Sequence, residues 1–312
     1  MRSLDLRQGV VEHTPAPSLD ALTPSGALAG STRTRHVGLG QALLALGLMG
    51  LGVLTVAYGD FALQWQPVPS WLPGRRFLAD LSGVLAFATG AGLLWGATAA
   101  LASRILFVYL ALWLVLLKIP HIVMAPTVEL NWNGTGEIAV ITAGGLVLFA
   151  TLSGDWGGRA LAWSRGDNGV RVARLLFAIA MPAIGLSHFV YHAQTAALVP
   201  AWLPLRGTLA YLTGAAHIAA GVGVALAIFP RLAAALEATM ISVFTLLIWV
   251  PGALTTPTSR LQWTALVMSW TIGAGAWVVA DSYFAAPWLK QATAEPREEA
   301  SNVWLDRTPD DA

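Results

Sequence analysis

Residues 37–59 read V-G-L-G-Q-A-L-L-A-L-G-L-M-G-L-G-V-L-T-V-A-Y-G, a run of 23 positions with no charged side chain. As a helix rising 1.5 Å per residue it is about 35 Å long, enough to cross roughly 30 Å of hydrocarbon. Uncharged intervals recur at 81–103, 138–154, 175–205, 207–230, 238–259 and 261–280. Over all 312 residues, 56% are hydrophobic and 11% charged, against about 25% charged in a soluble domain. The chain therefore reads as all-α: a polytopic transmembrane helical bundle.

Composition removes other classes. A formal net charge of +1 offers no field for a polyanion, so no nucleic acid is expected as partner. With no cysteine there is no thiol redox centre, thiolate-ligated metal or lipidated cysteine. Residues 1–36 are polar and carry Pro15, Pro17 and Pro24, and a cleavable signal peptide would begin its apolar region earlier. They read as a disordered cytoplasmic tail, as does the acidic segment 289–312 with its single anchor-like Trp304.

The apolar intervals resolve into eight expected spans: 39–57, 78–98, 104–124, 136–153, 172–192, 208–229, 235–252 and 263–285. With the N-terminus inside, thirteen basic residues fall on the cytoplasmic side, and only Arg75, Arg76, Arg206 and Arg260 on the other. That asymmetry puts both termini in the cytoplasm. Trp65, Trp71, Trp132, Trp202 and Trp263 fall at the outer boundary, as headgroup-level anchors should, whereas Trp113, Trp249, Trp270 and Trp277 lie deeper.

An internal duplication sets the architecture. Residues 68–83 read V-P-S-W-L-P-G-R-R-F-L-A-D-L-S-G and residues 199–214 read V-P-A-W-L-P-L-R-G-T-L-A-Y-L-T-G, identical at ten of sixteen positions at an offset of 131. The same offset carries Gly90 onto Gly221, Gly92 onto Gly223, Pro120 onto Pro251 and Trp132 onto Trp263. Four spans per half make the two repeats parallel. The expected modules are 37–153 and 170–288, joined by the glycine-rich cytoplasmic linker 154–169. In each outer loop two prolines deny helix and a Trp anchors at the interface.

The loops Pro69–Pro73 and Pro200–Pro204, the span ends at Tyr58-Gly59 and Phe189-Val190, and the openings Leu81–Gly83 and Leu212–Gly214 make the chain resemble the DoxX-like membrane proteins. The resemblance covers roughly 40–153 and 172–285. It implies a compact four-helix module, associated in some members with thiosulfate or quinol oxidation in respiratory membranes. The chain departs from the family's simple pattern by joining two such modules.

Ionisable groups in spans are costly and are the default site candidates. In the first half these are Asp60, Asp80, Lys118, His121 and Glu137, all toward the outer helix ends. A shallow cavity would collect them; alternatively the carboxylates mark helix ends and Lys118 snorkels outward. In the second half Asp60 becomes Tyr191, Asp80 becomes Tyr211, Lys118 becomes Trp249 and Glu137 becomes Met268, while His188, His192 and His217 replace Ala57, Phe61 and Ala86. A cavity lined by His188, Tyr191, His192, Tyr211, His217 and Trp249 suits an uncharged ring such as a quinone head. Such a cavity is expected to open near Tyr191 and to be bordered by Trp202 or Trp249. Haem needs two facing axial histidines, for which His188 and His121 alone nearly qualify, and no dense metal-ligand set is present. Glu237 and Asp281, near inner helix ends, are expected to face the cytoplasm or to pair with Arg231.

Three function classes follow: a quinone-associated respiratory accessory or redox subunit with a partner protein, a small-solute transporter, and a structural membrane scaffold. No nucleophile and base pair up, so no enzyme is assigned. The expected setting is a bacterial inner membrane, with lipid as the first partner. The topology makes a direct prediction: reporters at Gly166 and in 290–312 are cytoplasmic, and reporters at Gln66, Thr127, Thr195 and Thr256 are external. An external signal at Gly166 overturns both the orientation and the parallel repeat.

Overall fold

The structure, a computed structural model, describes residues 37–154 and 156–289. The expected tail 1–36, and 290–312 with Trp304, lie outside the described residues. Regular structure among the described residues is helical: α1 (Leu39–Tyr58), α2 (Arg75–Leu93), α3 (Gly96–Leu112), α4 (Ile119–Met124), α5 (Glu129–Leu152), α6 (Gly166–Val190), α7 (His192–Leu198), α8 (Arg206–Ala225), α9 (Pro230–Phe244), α10 (Val250–Thr255) and α11 (Arg260–Asp281). A π-helical turn, Trp113–Lys118, joins α3 to α4, and another, Thr245–Trp249, joins α9 to α10. Each lies just before a proline, Pro120 or Pro251, which lacks a donor and crowds the preceding turn; the wider π spacing absorbs the mismatch without breaking the rod.

Counting α3–α4 and α9–α10 as single rods, seven helices among the described residues are long and apolar enough to cross a membrane. The shortfall from the expected eight is α2, which has 19 residues but opens on Arg75, Arg76 and Asp80. Boundaries also move. The uninterrupted apolar run 81–103 concealed a turn at Leu94–Trp95, where α2 ends and α3 begins. Part of the expected linker 154–169 folds as a 3-10 turn at Gly158–Ser164, and α6 already starts at Gly166.

The long helices form a ring. α1 packs on α2, α2 on α3, α3 on α5, α5 on α6, α6 on α8, α8 on α9, α9 on α11, and α11 returns to α1. α5 and α11 also meet across the middle. These two are the most enclosed, with 78% and 72% of their apolar windows buried against 28–44% in the other five. Their closest approach is glycine on glycine: a Cβ on Gly144 would lie 2.8 Å from Gly275 Cα, and one on Gly275 would lie 2.9 Å from Val140 O. Small residues let the two backbones touch where lipid supplies no hydrophobic drive for association.

One end of the ring is locked by Asp60. α1 ends at Gly59 in the left-handed conformation (φ 58°), which turns the chain so that Asp60 faces α2 and α11. Its carboxylate accepts from Arg75, from Arg260 (3.1 Å) and from the Phe61 N–H (2.8 Å), and Arg260 also donates to Phe61 O (2.6 Å). At the other end Arg174 of α6 donates to Ser282 just past α11 and stacks 3.6 Å over the Tyr283 ring, while Asp281 accepts from Gly40 N–H at the start of α1 (3.0 Å). Asp281 thus caps a helix while staying exposed, and of the two expected alternatives the pairing with Arg231 is not seen, because Arg231 donates to Ala286 O (2.8 Å).

Two outcomes follow. Gly144→Leu or Gly275→Leu should lower stability by about 1–3 kcal/mol or more, read as faster thermal inactivation in detergent, because neither backbone has room to retreat. For Asp60, burial pushes the carboxyl pKa up, but the Arg260 and Phe61 hydrogen bonds and the charges of Arg75 and Arg260 outweigh it and hold the value below the ordinary one. Its stabilisation is therefore complete above about pH 4 and lost as pH falls through the depressed folded value. Asp60→Asn should be less stable than wild type at pH 7, and the difference should shrink as pH falls below 4; a difference independent of pH counts against the clamp.

Candidate functional site

A cavity of about 350 Å³ lies within the arc formed by α5, α6, α8, α9 and α11, with Thr195 and Leu198 of α7 also in its wall. Apolar side chains make most of the lining: Ile184, Ile241, Phe244, Ile248 and Ile272, with Trp249 at the end of the second π turn. Polar groups converge on it from four helices: Asn133 and Glu137 from α5, His188 from α6, Thr213 and His217 from α8, and Ser269 from α11. The volume is at the small end of the roughly 300–1,000 Å³ usual for small-molecule sites, and the mix of apolar wall and few polar atoms is typical of them.

Geometry assigns the protons on His188. Its Nδ1 lies 3.3 Å from Ala210 O and 3.0 Å from Thr213 Oγ1, and the Thr213 hydroxyl is itself within reach of Leu209 O and Ala210 O at 3.0 Å. A carbonyl only accepts, so Nδ1 carries the hydrogen and Nε2 keeps a free lone pair. The His217 ring meets that of His188 edge to face at 5.0 Å, and Phe244 packs beside both, at 6.1 and 6.4 Å. His217 Nδ1 is 2.6 Å from Glu237 Oε1, and the two side chains are 3% and 0% exposed. Glu237 Oε2 is buried without a hydrogen-bond partner. This corrects the expectation that Glu237 faces the cytoplasm or Arg231: α9 begins at Pro230, earlier than the expected 235, so Glu237 lies two turns inside it, against α8.

On the α5 side, Glu137 Oε2 accepts from Trp65 Nε1 at 2.7 Å and Oε1 from Asn133 Nδ2 at 3.2 Å, with Lys118 and His217 near enough to feel its charge. Lys118 does not snorkel. It is 7% exposed and donates to Gln64 O at 3.1 Å. Trp65, read from the sequence as an interface anchor, is 6% exposed and inserted into the bundle, whereas Trp71 and Trp202, at 77% and 71%, do sit on the surface.

Of the candidates, then, His188, His217, Trp249 and Glu137 share the cavity wall. Tyr191 stands at the break between α6 and α7, and Trp202 likewise lies off the wall. His192 stacks on Tyr211 at 4.0 Å, with its Nε2 donating to Gly207 O (3.1 Å), away from the cavity. Asp60 belongs to the clamp, Asp80 forms a surface pair with Arg76 at 3.9 Å, and His121 lies on α4 with Nδ1 buried and unpartnered. Trp65, Thr213, Glu237, Phe244 and Ser269 were not read from the sequence as site residues. One signal for Glu237 was present: at the offset of 131, His217 and Glu237 jointly replace Ala86 and Leu106, a paired gain of polarity inside apolar helices. Among the described residues no three His, Asp or Glu side chains gather as a metal site. Comparison with known protein families, with curated proteins and with solved structures finds no match for the chain, so its function is argued from this cavity.

Proposed function

We propose that the chain is a membrane-embedded binding protein, built from two parallel four-helix repeats with both termini cytoplasmic, whose cavity takes up an uncharged hydroxyl-bearing ring compound from the bilayer. The repeat reading, with α2 as the eighth span, is supported by matching element bounds: α2 and α8 start at Arg75 and Arg206, α4 and α10 run 119–124 and 250–255, and α5 and α11 start at Glu129 and Arg260, each 131 apart. Gly144 and Gly275, the central contact, are also 131 apart. The resemblance of the P-x-W-L-P loops to DoxX-like proteins agrees with the same architecture and with a bacterial inner membrane. A quinol-type head group is the natural member of this ligand class in such a membrane, and it would link the protein to a respiratory partner.

The observation that carries the ligand class is the free Nε2 lone pair of His188 in a largely apolar cavity, since it asks for a donor on an otherwise hydrophobic molecule. Glu137 and His217 also line the cavity, and Trp249 adds an aromatic wall. The test is calorimetric titration of protein in lipid nanodiscs with a tail-less benzoquinol, with empty nanodiscs subtracted. Wild type should bind, and His188→Phe should bind about five- to a hundredfold more weakly, because a lost hydrogen bond to a buried group costs about 1–3 kcal/mol. Equal affinity in the two proteins removes His188 from the site, and heat from the empty discs alone removes the site itself.

A further inference from the structure

The cavity has a counterpart in the first half, and there it is full. Ile241, Phe244, Ser269 and Ile272 of the cavity wall correspond at the offset of 131 to Leu110, Trp113, Ile138 and Ile141. Those four are buried, at 0–3% exposure, in a core that also contains Ala62 and Trp65. The material that fills the first-half space is the chain between Phe61 and Gln66. Gln66 Nε2 donates to Tyr109 OH (3.0 Å) and reaches Ser82 Oγ (3.4 Å), Trp65 O accepts from Trp113 Nε1 (2.8 Å), and Trp65 Nε1 donates to Glu137 (2.7 Å). Ser82 corresponds to Thr213, the residue that holds His188 in the cavity wall.

In the second half the equivalent residues, 192–197, do not enter. They form α7, where Trp65 and Gln66 are matched by Ala196 and Ala197, and α7 contributes only Thr195 and Leu198 to the wall. The surrounding side chains shrink at the same places, Trp113 to Phe244 and Ile138 to Ser269. One half thus holds the Trp65 indole, which donates its N–H to Glu137 and with it also borders the cavity, where the other half has an empty space beside His188.

From this we infer that the cavity is shaped for a flat, fused two-ring compound carrying one O–H or N–H donor, the diffusible counterpart of the Trp65 side chain. The inference rests on the ring-compound reading above and narrows it from any hydroxylated ring to a bicyclic one. A single ring leaves part of the apolar wall without contacts, and a linear chain of equal volume lacks the flat face that Phe244 and Trp249 are placed to meet.

The experiment titrates the protein in nanodiscs with indole, 1-naphthol, phenol and 1-decanol, each corrected for its partition into empty discs. Indole and 1-naphthol are expected to bind at least tenfold more tightly than phenol or decanol. Ser269→Ile, which restores the first-half residue and fills the space, should abolish that binding while leaving thermal inactivation at or above the wild-type temperature; Phe244→Trp should do the same if the first variant does not fold. Phenol binding as tightly as 1-naphthol overturns the two-ring inference and leaves the ring-compound reading standing. Failure of all three aromatic probes, or decanol binding best, overturns both. Undiminished 1-naphthol binding in a folded Ser269→Ile protein places the ligand elsewhere and overturns the inference.

Discussion

Everything in this molecule hangs on the contact of two glycines. Gly144 and Gly275 let α5 and α11 cross at backbone distance, and this pair of buried helices is the brace about which the other helices close into a ring. In a lipid solvent apolar side chains gain nothing by leaving lipid for protein, so close packing and internal hydrogen bonds must hold helices together. The remaining interfaces repeat the device: Gly83 of α2 faces Gly52 of α1, and Gly214 of α8 faces Gly185 of α6, with hypothetical Cβ atoms 3.0 and 2.9 Å from the opposite carbonyl. Close backbone contact of this kind lets polar groups such as Glu137 and His217 sit beside the apolar core without loosening the bundle.

The brace also divides the ring into two arcs that share α5 and α11 but differ in content. In the first arc a loop enters from the end locked by Asp60 and packs Trp65 against Trp113 and Glu137. In the second arc the chain at the same place is helical and stays outside, and the interior is left as a cavity with histidines at its wall. A buried Glu or His is costly unless it is satisfied, and the three on the cavity wall are satisfied locally: Glu137 by Trp65 and Asn133, His188 by Ala210 and Thr213, His217 by Glu237. The lone pair left on His188 Nε2 is what gives the cavity its chemistry.

Charged residues at the two ends have a different role. Asp60 with Arg75 and Arg260, and Arg174 with Ser282 and Tyr283, each connect segments far apart in sequence, so they fix the register in which the ring closes. A carboxylate flanked by two guanidinium groups does this with directional bonds whose geometry a purely apolar contact lacks.

From the sequence alone the solvent, the secondary structure and the offset of 131 were all legible, because runs of uncharged residues and a ten-in-sixteen identity are local properties of the chain. So was the place of His188, His217 and Glu137 among the candidates, since ionisable groups inside apolar runs need a reason to be there, and the three do line one cavity. The turn at Leu94–Trp95 was not legible, because it lies within an unbroken apolar run and depends on how α2 packs against α3. Nor was the fate of Trp65, whose position in a loop suggests an interface anchor; only tertiary packing, with Glu137 at hand to accept its N–H, draws it inside. Glu237 was misread for the same reason, as its place near a helix end says nothing of the face on which His217 waits. Whether two polar groups meet depends on helix rotation and crossing, and these are decided by glycine contacts between elements more than a hundred residues apart in sequence, such as Gly144 with Gly275 and Gly47 with Thr271.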